Sequence, residues 1–294
     1  MFQHRTVLLD ELVGLMAPCA GRTIVDCTVG GGGHTEALLL AGATVIGFDR
    51  DPAALEAAGL RLAAFGGRLT LHAHPFSTLP HVLAEPVDGL IADLGVSSPQ
   101  LDDSERGFSF MRDGPLDMRM GQTGETAAEY LERVDLDTLT QVLRSYGEER
   151  HARRIARAIQ DNGPYTTTLQ LAGVVEEHMP GRRGRIHPAT RTFQALRIAV
   201  NDELGELERL LEALPRLLAP GGRVGIISFH SLEDRLVKRA FRALCGVGAP
   251  KDGYGHAIEE PLAVALTRKA VQSSDDNPRA RSARLRGIEM RGAA

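Results

Sequence analysis

Short apolar segments alternate with segments of helical periodicity in the first third of the chain. Runs of apolar residues predict four strands, at residues 23–27, 44–48, 69–73 and 87–92. Apolar positions three and four residues apart predict helices between them, at residues 34–41, 52–65 and 77–84. Strands that alternate with helices are typical of a parallel sheet covered by helices. The chain is therefore predicted to begin with successive β-α-β units.

The pattern changes after Asp93. Between about Asp103 and Asn201 no strand is predicted, and helical spacing of apolar residues predicts five helices, at residues 127–131, 136–144, 148–159, 169–177 and 192–200. A stretch of this length without a strand does not continue the β-α-β pattern. Residues 103–201 are therefore predicted to form an all-helical insertion.

The α/β pattern returns in the last third of the chain. The elements predicted there are a helix at residues 203–218, a turn at Pro220-Gly221-Gly222, and strands at 223–228, 262–271 and 284–291. The polar segment 272–279 joins the last two strands and is short enough for an antiparallel hairpin at the sheet edge. The predicted fold class is α/β, with a mostly parallel sheet formed by residues 1–102 and 202–294.

A glycine-rich loop follows the first predicted strand. Its sequence is Asp26-Cys27-Thr28-Val29-Gly30-Gly31-Gly32-Gly33-His34. It places a carboxylate at a strand end, before a loop and a helix whose first N–H groups are free to contact a nucleotide-like ligand. A phosphate-binding P-loop is excluded because no Gly-Lys-Ser/Thr follows, and Thr35 replaces the third glycine of the dinucleotide motif. A tight turn without a ligand is the alternative interpretation.

Two aspartates follow the second predicted strand. Asp49 lies about 20 residues beyond the glycines, where the acid of a nucleotide-binding fold accepts hydrogen bonds from ribose hydroxyls. Asp51 and Pro52 are typical of a helix start, as N-cap and first helical residue. We interpret Asp49 as a ligand-binding residue and Asp51 as a cap.

Composition narrows the class of protein. The chain has 294 residues and a net charge of -4, and its three cysteines form no Cys-x-x-Cys pair, which argues against a disulfide framework and a structural zinc site. No metal is predicted. The sequence lacks an apolar run of about 20 residues and the pattern of a signal peptide, so we expect a cytoplasmic protein without a membrane partner.

Positive charge is concentrated in two regions. Between Arg144 and Arg197 there are ten arginines and five acidic residues. The arginines are Arg144, Arg150, Arg153, Arg154, Arg157, Arg182, Arg183, Arg185, Arg191 and Arg197. A second basic stretch contains Arg268, Lys269, Arg279, Arg281, Arg284 and Arg286. Both could face a polyanion, and codon bias towards arginine is the alternative explanation.

Longer motifs connect the chain to a known family. The predicted sheet, the acid-led glycine loop and the acid after the second strand resemble class I S-adenosylmethionine methyltransferases. Seven blocks resemble more specifically the bacterial ribosomal RNA small subunit methyltransferase H family, formerly called MraW. They are His4 to Glu11, Asp93 to Asp103, Arg106 to Arg119, Tyr146 to Arg150, His187 to Gln194, Ser228 to Arg235 and Asn277 to Ser282.

This resemblance implies an activity and its partners. The family methylates the exocyclic N4 of one cytidine, 1402 in the usual rRNA numbering, in the decoding region of 16S rRNA. The implied cofactor is S-adenosylmethionine and the implied partner is 16S rRNA, with no obligate protein partner evident. Recognition by shape favours a folded target within the 30S subunit, and naked rRNA is the alternative. The helical insertion is then the expected RNA-docking domain.

The resemblance also implies site residues. The implied cofactor contacts are Gly32, Gly33, His34, Asp49, Phe76, Asp93 and Gln100. An oxygen after the fourth strand should orient the cytosine amino group, and the candidates are Asp93, Ser97, Ser98 or a main-chain carbonyl. Packing into the core is the alternative for Phe76, and we assign no acid-base role to His34. Pro18-Cys19 is interpreted as a buried thiol rather than a nucleophile.

Two other classes of protein share part of these features. An NAD-dependent oxidoreductase would have the glycine loop and Asp49, together with a third glycine and a proton-transferring residue. A non-enzymatic RNA-binding protein would use the arginine-rich helices alone. Neither class explains the block from Asp93 to Arg119.

Overall fold

The computed structural model describes residues 6–179, 187–250, 252, 258–273 and 280–292. Its contacts divide the chain into a sheet unit, Met1–Gly95 with Leu204–Ala294, and a helical unit, Val96–Glu203. The predicted insertion of residues 103–201 falls within the helical unit. Four arginines of the predicted basic regions lie outside the described residues, namely Arg182, Arg183, Arg185 and Arg279.

The sheet unit contains eight strands among the described residues. They are β1 (Thr23–Asp26), β2 (Thr44–Phe48), β3 (Leu69–His72), β4 (Val87–Asp93), β5 (Leu218–Ser228), β6 (Ala263–Ala265), β7 (Val271–Gln272) and β8 (Arg284–Met290). The strand order is β3-β2-β1-β4-β5-β8-β6, and β7 also pairs with β8. The first five strands in this order are parallel, whereas β8 is antiparallel to β5, β6 and β7. The predicted mixed sheet is thereby confirmed.

Helices cover both faces of this sheet. They are α1 (Leu9–Met16), α2 (Gly33–Leu40), α3 (Pro52–Arg61), α4 (Leu79–Val82), α11 (Glu203–Leu217) and α12 (Ser231–Leu244), with α5 to α10 belonging to the intervening segment. Ile24 packs in the same cluster as Leu12 and Leu38, and the next residue, Val25, packs in the cluster with Leu207. Because neighbouring residues of β1 are buried on opposite faces, both Ile24 and Val25 are apolar.

Strand order reverses between β1 and β4. β1 pairs with β2 on one side and with β4 on the other. In open parallel sheets, the crevice that binds ligands lies outside the carboxyl ends of the strands at such a point. The ends of β1 and β4, at Asp26 and Asp93, are thus the expected position of a site.

The structure corrects four details of the predicted elements. Helices α1 and α12 were not predicted. The predicted strand 262–271 is two short strands, β6 and β7, because both segments pair with β8. Strand β5 begins at Leu218 instead of residue 223, since Leu218 already pairs with Val87 and the predicted turn is an irregularity within the strand. The predicted helix 148–159 begins only at Ala152, because Glu148 has a positive φ.

The helical unit has its own core. Its helices are α5 (Ser98–Asp102), α6 (Ala127–Arg133), α7 (Leu136–Ser145), α8 (Ala152–Asn162), α9 (Thr168–His178) and α10 (Ala189–Asn201). The buried Asn201 holds the loop before α6, since its Nδ2 donates to the Met118 carbonyl and its Oδ1 accepts from the Met120 N–H, both at 2.7 Å. Of the helices in the described ranges, none is both long and apolar enough to cross a membrane.

Candidate functional site

The glycine loop connects β1 to α2 in a conformation that needs glycine. Gly30 and Gly32 have φ values of 50° and 79°, in the left-handed region that side chains disfavour. A Cβ on Gly33 would overlap the Thr6 side chain. Helix α2 starts at Gly33 without a side-chain cap. Its first N–H groups therefore stay available to a ligand at the carboxyl end of the sheet.

Asp49 is held against this loop. Its Oδ2 accepts a hydrogen bond from the Gly30 N–H at 2.8 Å, and its Oδ1 accepts one from the Asp51 N–H at 2.9 Å. The structure thus brings Asp49 to the glycine loop, although its contact with a ribose stays a prediction. Asp51 accepts from the Ala53 N–H at 3.1 Å, which confirms its predicted role as the cap of α3.

Thr28 joins the ends of β1 and β4. Its hydroxyl oxygen accepts a hydrogen bond from the Asp93 N–H at 2.7 Å, and its own N–H donates to Asp26 Oδ1 at 3.1 Å. The second oxygen of Asp26 accepts from the Thr35 hydroxyl at 2.6 Å. Carboxylates at the ends of three adjacent strands therefore share one edge of the sheet, with Asp49 beside β2, Asp26 on β1 and Asp93 on β4.

The three carboxyl groups have little positive charge nearby, although Arg50 acts on Asp49 and lowers its pKa in part. None of them forms an ion pair with a lysine or arginine among the described residues, and the Asp93 carboxyl accepts no hydrogen bond there. Burial is the largest cause that raises the pKa of Asp49, and it raises the pKa of Asp26 to about 6. Burial, together with the charges of Asp26 and Glu233, raises the pKa of Asp93 well above its usual range. This edge consequently favours a positively charged ligand.

His34 faces Asp93 as a neutral ring. Its Nε2 lies 3.1 Å from the Val7 carbonyl oxygen, which can only accept, so Nε2 carries the proton. Its Nδ1 lies 3.7 Å from Asp93 Oδ2. Burial lowers the pKa of His34 to about 4, so the ring does not neutralise Asp93 near pH 7.

The structure gives the positions of the remaining predicted residues without deciding their roles. Phe76 follows β3 and packs, partly buried, against the cluster that contains Phe48, so the structure is compatible with both interpretations of this residue. Ser97 and Gln100 belong to the helical unit, where they form a reciprocal capping box at the start of α5. Ser98 is the first residue of that helix. Their predicted cofactor and catalytic roles stay predictions.

Three contributors to the site were missed in the sequence. Thr28 and Thr35 hold the acidic edge together, and the buried Glu233 of α12 places a further charge near Asp93. The sequence offered a hint of the role of Thr35, because this polar residue stands at a helix start in place of the third glycine of the dinucleotide motif. Glu233 lies in the block Ser228 to Arg235 that resembles the family, but no role was assigned to it there, because α12 itself was not predicted.

Comparison with known proteins now identifies the family. The model of the MraW methylase family matches residues 1–291. The chain belongs to the MraW methylase family. It is 54% identical over 301 residues to a protein of Myxococcus xanthus named Ribosomal RNA small subunit methyltransferase H, covering 98% of this chain and 97% of that protein. A relative of the same name from Allorhizobium ampelinum is 47% identical, with 97% and 86% covered.

A solved rRNA methylase from Streptococcus thermophilus gives a TM-score of 0.47 and 13% identity, covering 99% of this chain and all of that one. The family assignment does not depend on so weak a likeness. As a member of the MraW methylase family, the protein is a methyltransferase that takes its methyl group from S-adenosylmethionine. The unpaired acidic edge fits this donor, because its sulfonium and amino groups are cationic. The N–H groups of the first turn of α2, which has no side-chain cap, fit its polar atoms.

Replacing Asp49 tests its assignment to the cofactor. Asp49→Ala should weaken S-adenosylmethionine binding by about 1 to 3 kcal/mol, the usual scale for hydrogen bonds to a charged group. The loss combines ribose contacts with the release of the Gly30 N–H. Calorimetric titration of the purified protein measures it. Asp51→Ala is the control, since it removes a helix cap two residues away and should leave cofactor affinity unchanged. Equal affinity in wild type and Asp49→Ala would remove Asp49 from the site.

The raised pKa of Asp26 predicts a pH-dependent stability difference. A carboxyl group whose pKa rises on folding stabilises the protein below its unfolded pKa, 3.8, and this contribution is lost as the pH rises through about 6. Asp26→Asn cannot titrate, so its free energy of unfolding should rise relative to wild type by up to about 3 kcal/mol between pH 4 and pH 7.5. Urea unfolding of both cofactor-free proteins measures the difference, in which the shared titration of His34 cancels. If the difference in unfolding free energy between the two proteins did not change with pH, the pKa of Asp26 would not be raised by burial.

Proposed function

We propose that the protein transfers a methyl group from S-adenosylmethionine to the exocyclic N4 of one cytidine in 16S rRNA, at position 1402 in the usual numbering. Relatives about 50% identical over nearly the whole chain carry the name Ribosomal RNA small subunit methyltransferase H, which supports an rRNA substrate. The observation that supports an amino group as the methyl acceptor concerns the carboxyl group of Asp93. This carboxyl lies at the end of β4 and accepts no hydrogen bond from the described residues; Oδ1 is buried, and the side chain as a whole is 25% exposed.

The chemistry needs an acceptor of this kind. The lone pair of a cytosine amino group is delocalised into the ring, and hydrogen bonds accepted from its N–H groups localise it on nitrogen. The donor supplies an electrophilic methyl group, so alignment of the nitrogen contributes most of the acceleration. After transfer, the nitrogen must lose a proton. A carboxylate with a raised pKa is better suited to take this proton than an ordinary aspartate.

Thr28 supports Asp93 in this role. The hydrogen bond from the Asp93 N–H to the Thr28 hydroxyl fixes the backbone that carries the carboxyl. The neutral His34 ring, 3.7 Å from Oδ2, leaves the carboxyl free of a competing cation. Ser97 and Ser98 stay alternative acceptors, and the capping hydrogen bond of Ser97 occupies part of its capacity.

The substrate must present its base outside a helical stack, since the N4 edge of a paired cytidine is engaged in pairing. Folded RNA is recognised by its shape and its unpaired segments. We therefore place the reaction on 16S rRNA within the 30S subunit.

Mass spectrometry of nucleosides tests the proposed reaction. Small subunits from cells that lack this protein are incubated with the purified enzyme and S-adenosylmethionine carrying a deuterated methyl group. We expect one N4-methylated cytidine per subunit, at the proposed position. Label on carbon 5, on a ribose or on another base would contradict the proposal. Protein-free 16S rRNA, treated in parallel, shows whether the assembled subunit is required.

Asp93 should affect turnover more than binding. Asp93→Ala should lower kcat by about 100-fold or more, the scale of general acid-base catalysis, with rRNA affinity nearly unchanged. Single-turnover methylation and filter binding measure the two quantities separately. Ser98→Ala is the matched control at an alternative acceptor. A normal rate in Asp93→Ala, with a slow Ser98→Ala, would transfer the role to Ser98.

A further inference from the structure

The arginines of the helical unit differ in whether a carboxylate neutralises them. Arg153 donates to Asp137 Oδ1 at 2.8 Å, and Arg197 forms two hydrogen bonds with Glu203, at 2.7 and 2.8 Å. The carboxylate in such a pair compensates the positive charge of the guanidinium, which is then less available to another anion. The sequence places all these arginines in one basic region, and only the structure separates paired from unpaired members.

Arg154 and Arg157 are unpaired. Neither forms an ion pair or a hydrogen bond with another described residue, and both side chains are exposed. They lie three residues apart, so their side chains project from one side of α8. The opposite side of this helix is anchored by Ile155 and Ile159, which are buried in the core of the helical unit. The two charges are therefore presented on a fixed support.

These two arginines line an open depression of about 490 Å³. Its other polar lining residues are Arg153, Asp161, Asn162 and His178. The one apolar lining residue is the small Ala158, whereas protein-protein interfaces depend on large aromatic and apolar anchors. Asp161 contributes a single negative charge, against the two unpaired arginines and Arg153, whose charge Asp137 compensates. The lining thus suits phosphate groups, which guanidinium groups bind in a bidentate manner.

We propose that Arg154 and Arg157 contact backbone phosphates of the RNA substrate at this depression, and that Arg153 is held away from this role by Asp137. This inference rests on the proposed function, because it assumes an RNA substrate. The net charge of the chain is -4, so attraction of a polyanion must come from local groups of this kind. Such contacts position the RNA without reading its bases.

Salt dependence of rRNA binding tests the assignment. The slope of log K against log salt concentration is negative, and each lost phosphate contact reduces its magnitude by about 0.7 to 0.9. The double variant Arg154→Ala with Arg157→Ala should therefore lose about 1.5 from the magnitude of the slope measured with 16S rRNA. Arg153→Ala is the matched control on the same helix, and its slope should stay that of wild type. S-adenosylmethionine affinity should be the same in all variants.

A second variant should increase the salt dependence of rRNA binding, and misfolding would not produce such an increase. Asp137→Ala releases Arg153, and the Asp137 side chain is 82% exposed, so the fold should tolerate the change. The magnitude of its slope should rise by about 0.7 to 0.9. An unchanged slope in the double variant overturns the proposal, and so does an equal loss in Arg153→Ala. If the double variant instead loses affinity only for polyglutamate, the surface belongs to an acidic protein and the proposal is also overturned.

The two proposals fail separately. Wild-type protein that methylates cytidine N4, with a double variant of unchanged slope, overturns only the phosphate surface. Wild-type protein whose rRNA binding shows no salt dependence, and which labels no cytidine, overturns the proposed function itself.

Discussion

The acidic edge of the sheet depends on hydrogen bonds from uncharged donors. Three carboxyl groups lie at the ends of adjacent strands without a lysine or arginine partner among the described residues. A buried charge without a partner costs several kcal/mol. Here the Thr35 hydroxyl and the N–H groups of Thr28, Gly30 and Asp51 compensate part of that cost. These donors satisfy oxygen atoms and leave the negative charge in place.

That arrangement explains why the glycine loop and the strand ends behave as one site. Gly30, which has a positive φ, donates its N–H to Asp49, and this hydrogen bond ties the loop to the residue that follows β2. Thr28 couples the same loop to β4 through the Asp93 N–H. A cationic ligand lowers the electrostatic cost of ionising these acids, whereas a neutral one does not. The site is thus built for charge as well as for shape.

The helical unit uses charge in the opposite way. Several of its arginines are neutralised by nearby acids, as Arg153 is by Asp137 and Arg133 is by Glu125. Exposed pairs of this kind contribute about 1 kcal/mol or less to stability. Their larger effect is to determine which positive charges stay available to a polyanion. Paired and unpaired arginines can therefore alternate along one helix, as Arg153 and Arg154 do.

The sequence by itself determined the elements whose signals are local. Strand β1 was predictable because its adjacent apolar residues Ile24 and Val25 are typical of a strand buried on both faces. The roles of Asp51 and Pro52 followed from their adjacency at a helix start. Asp49 was found by its spacing from the glycines. The family resemblance added Phe76, Asp93 and Gln100, whose chemical roles local patterns do not specify.

Tertiary structure decided what depends on contacts between distant residues. The hydrogen bond from Asp93 to Thr28 spans 65 residues, and the pair of Arg153 with Asp137 spans 16. Helix α1 was not predicted. Its packing against the sheet explains why glycine stands at positions 89 and 225, because a Cβ there would overlap Met16 and Leu12 respectively. Propensity and periodicity report only neighbours along the chain. The ionisation of a carboxyl group and the pairing of a guanidinium group both depend on neighbours in space, and so only the folded chain fixes them.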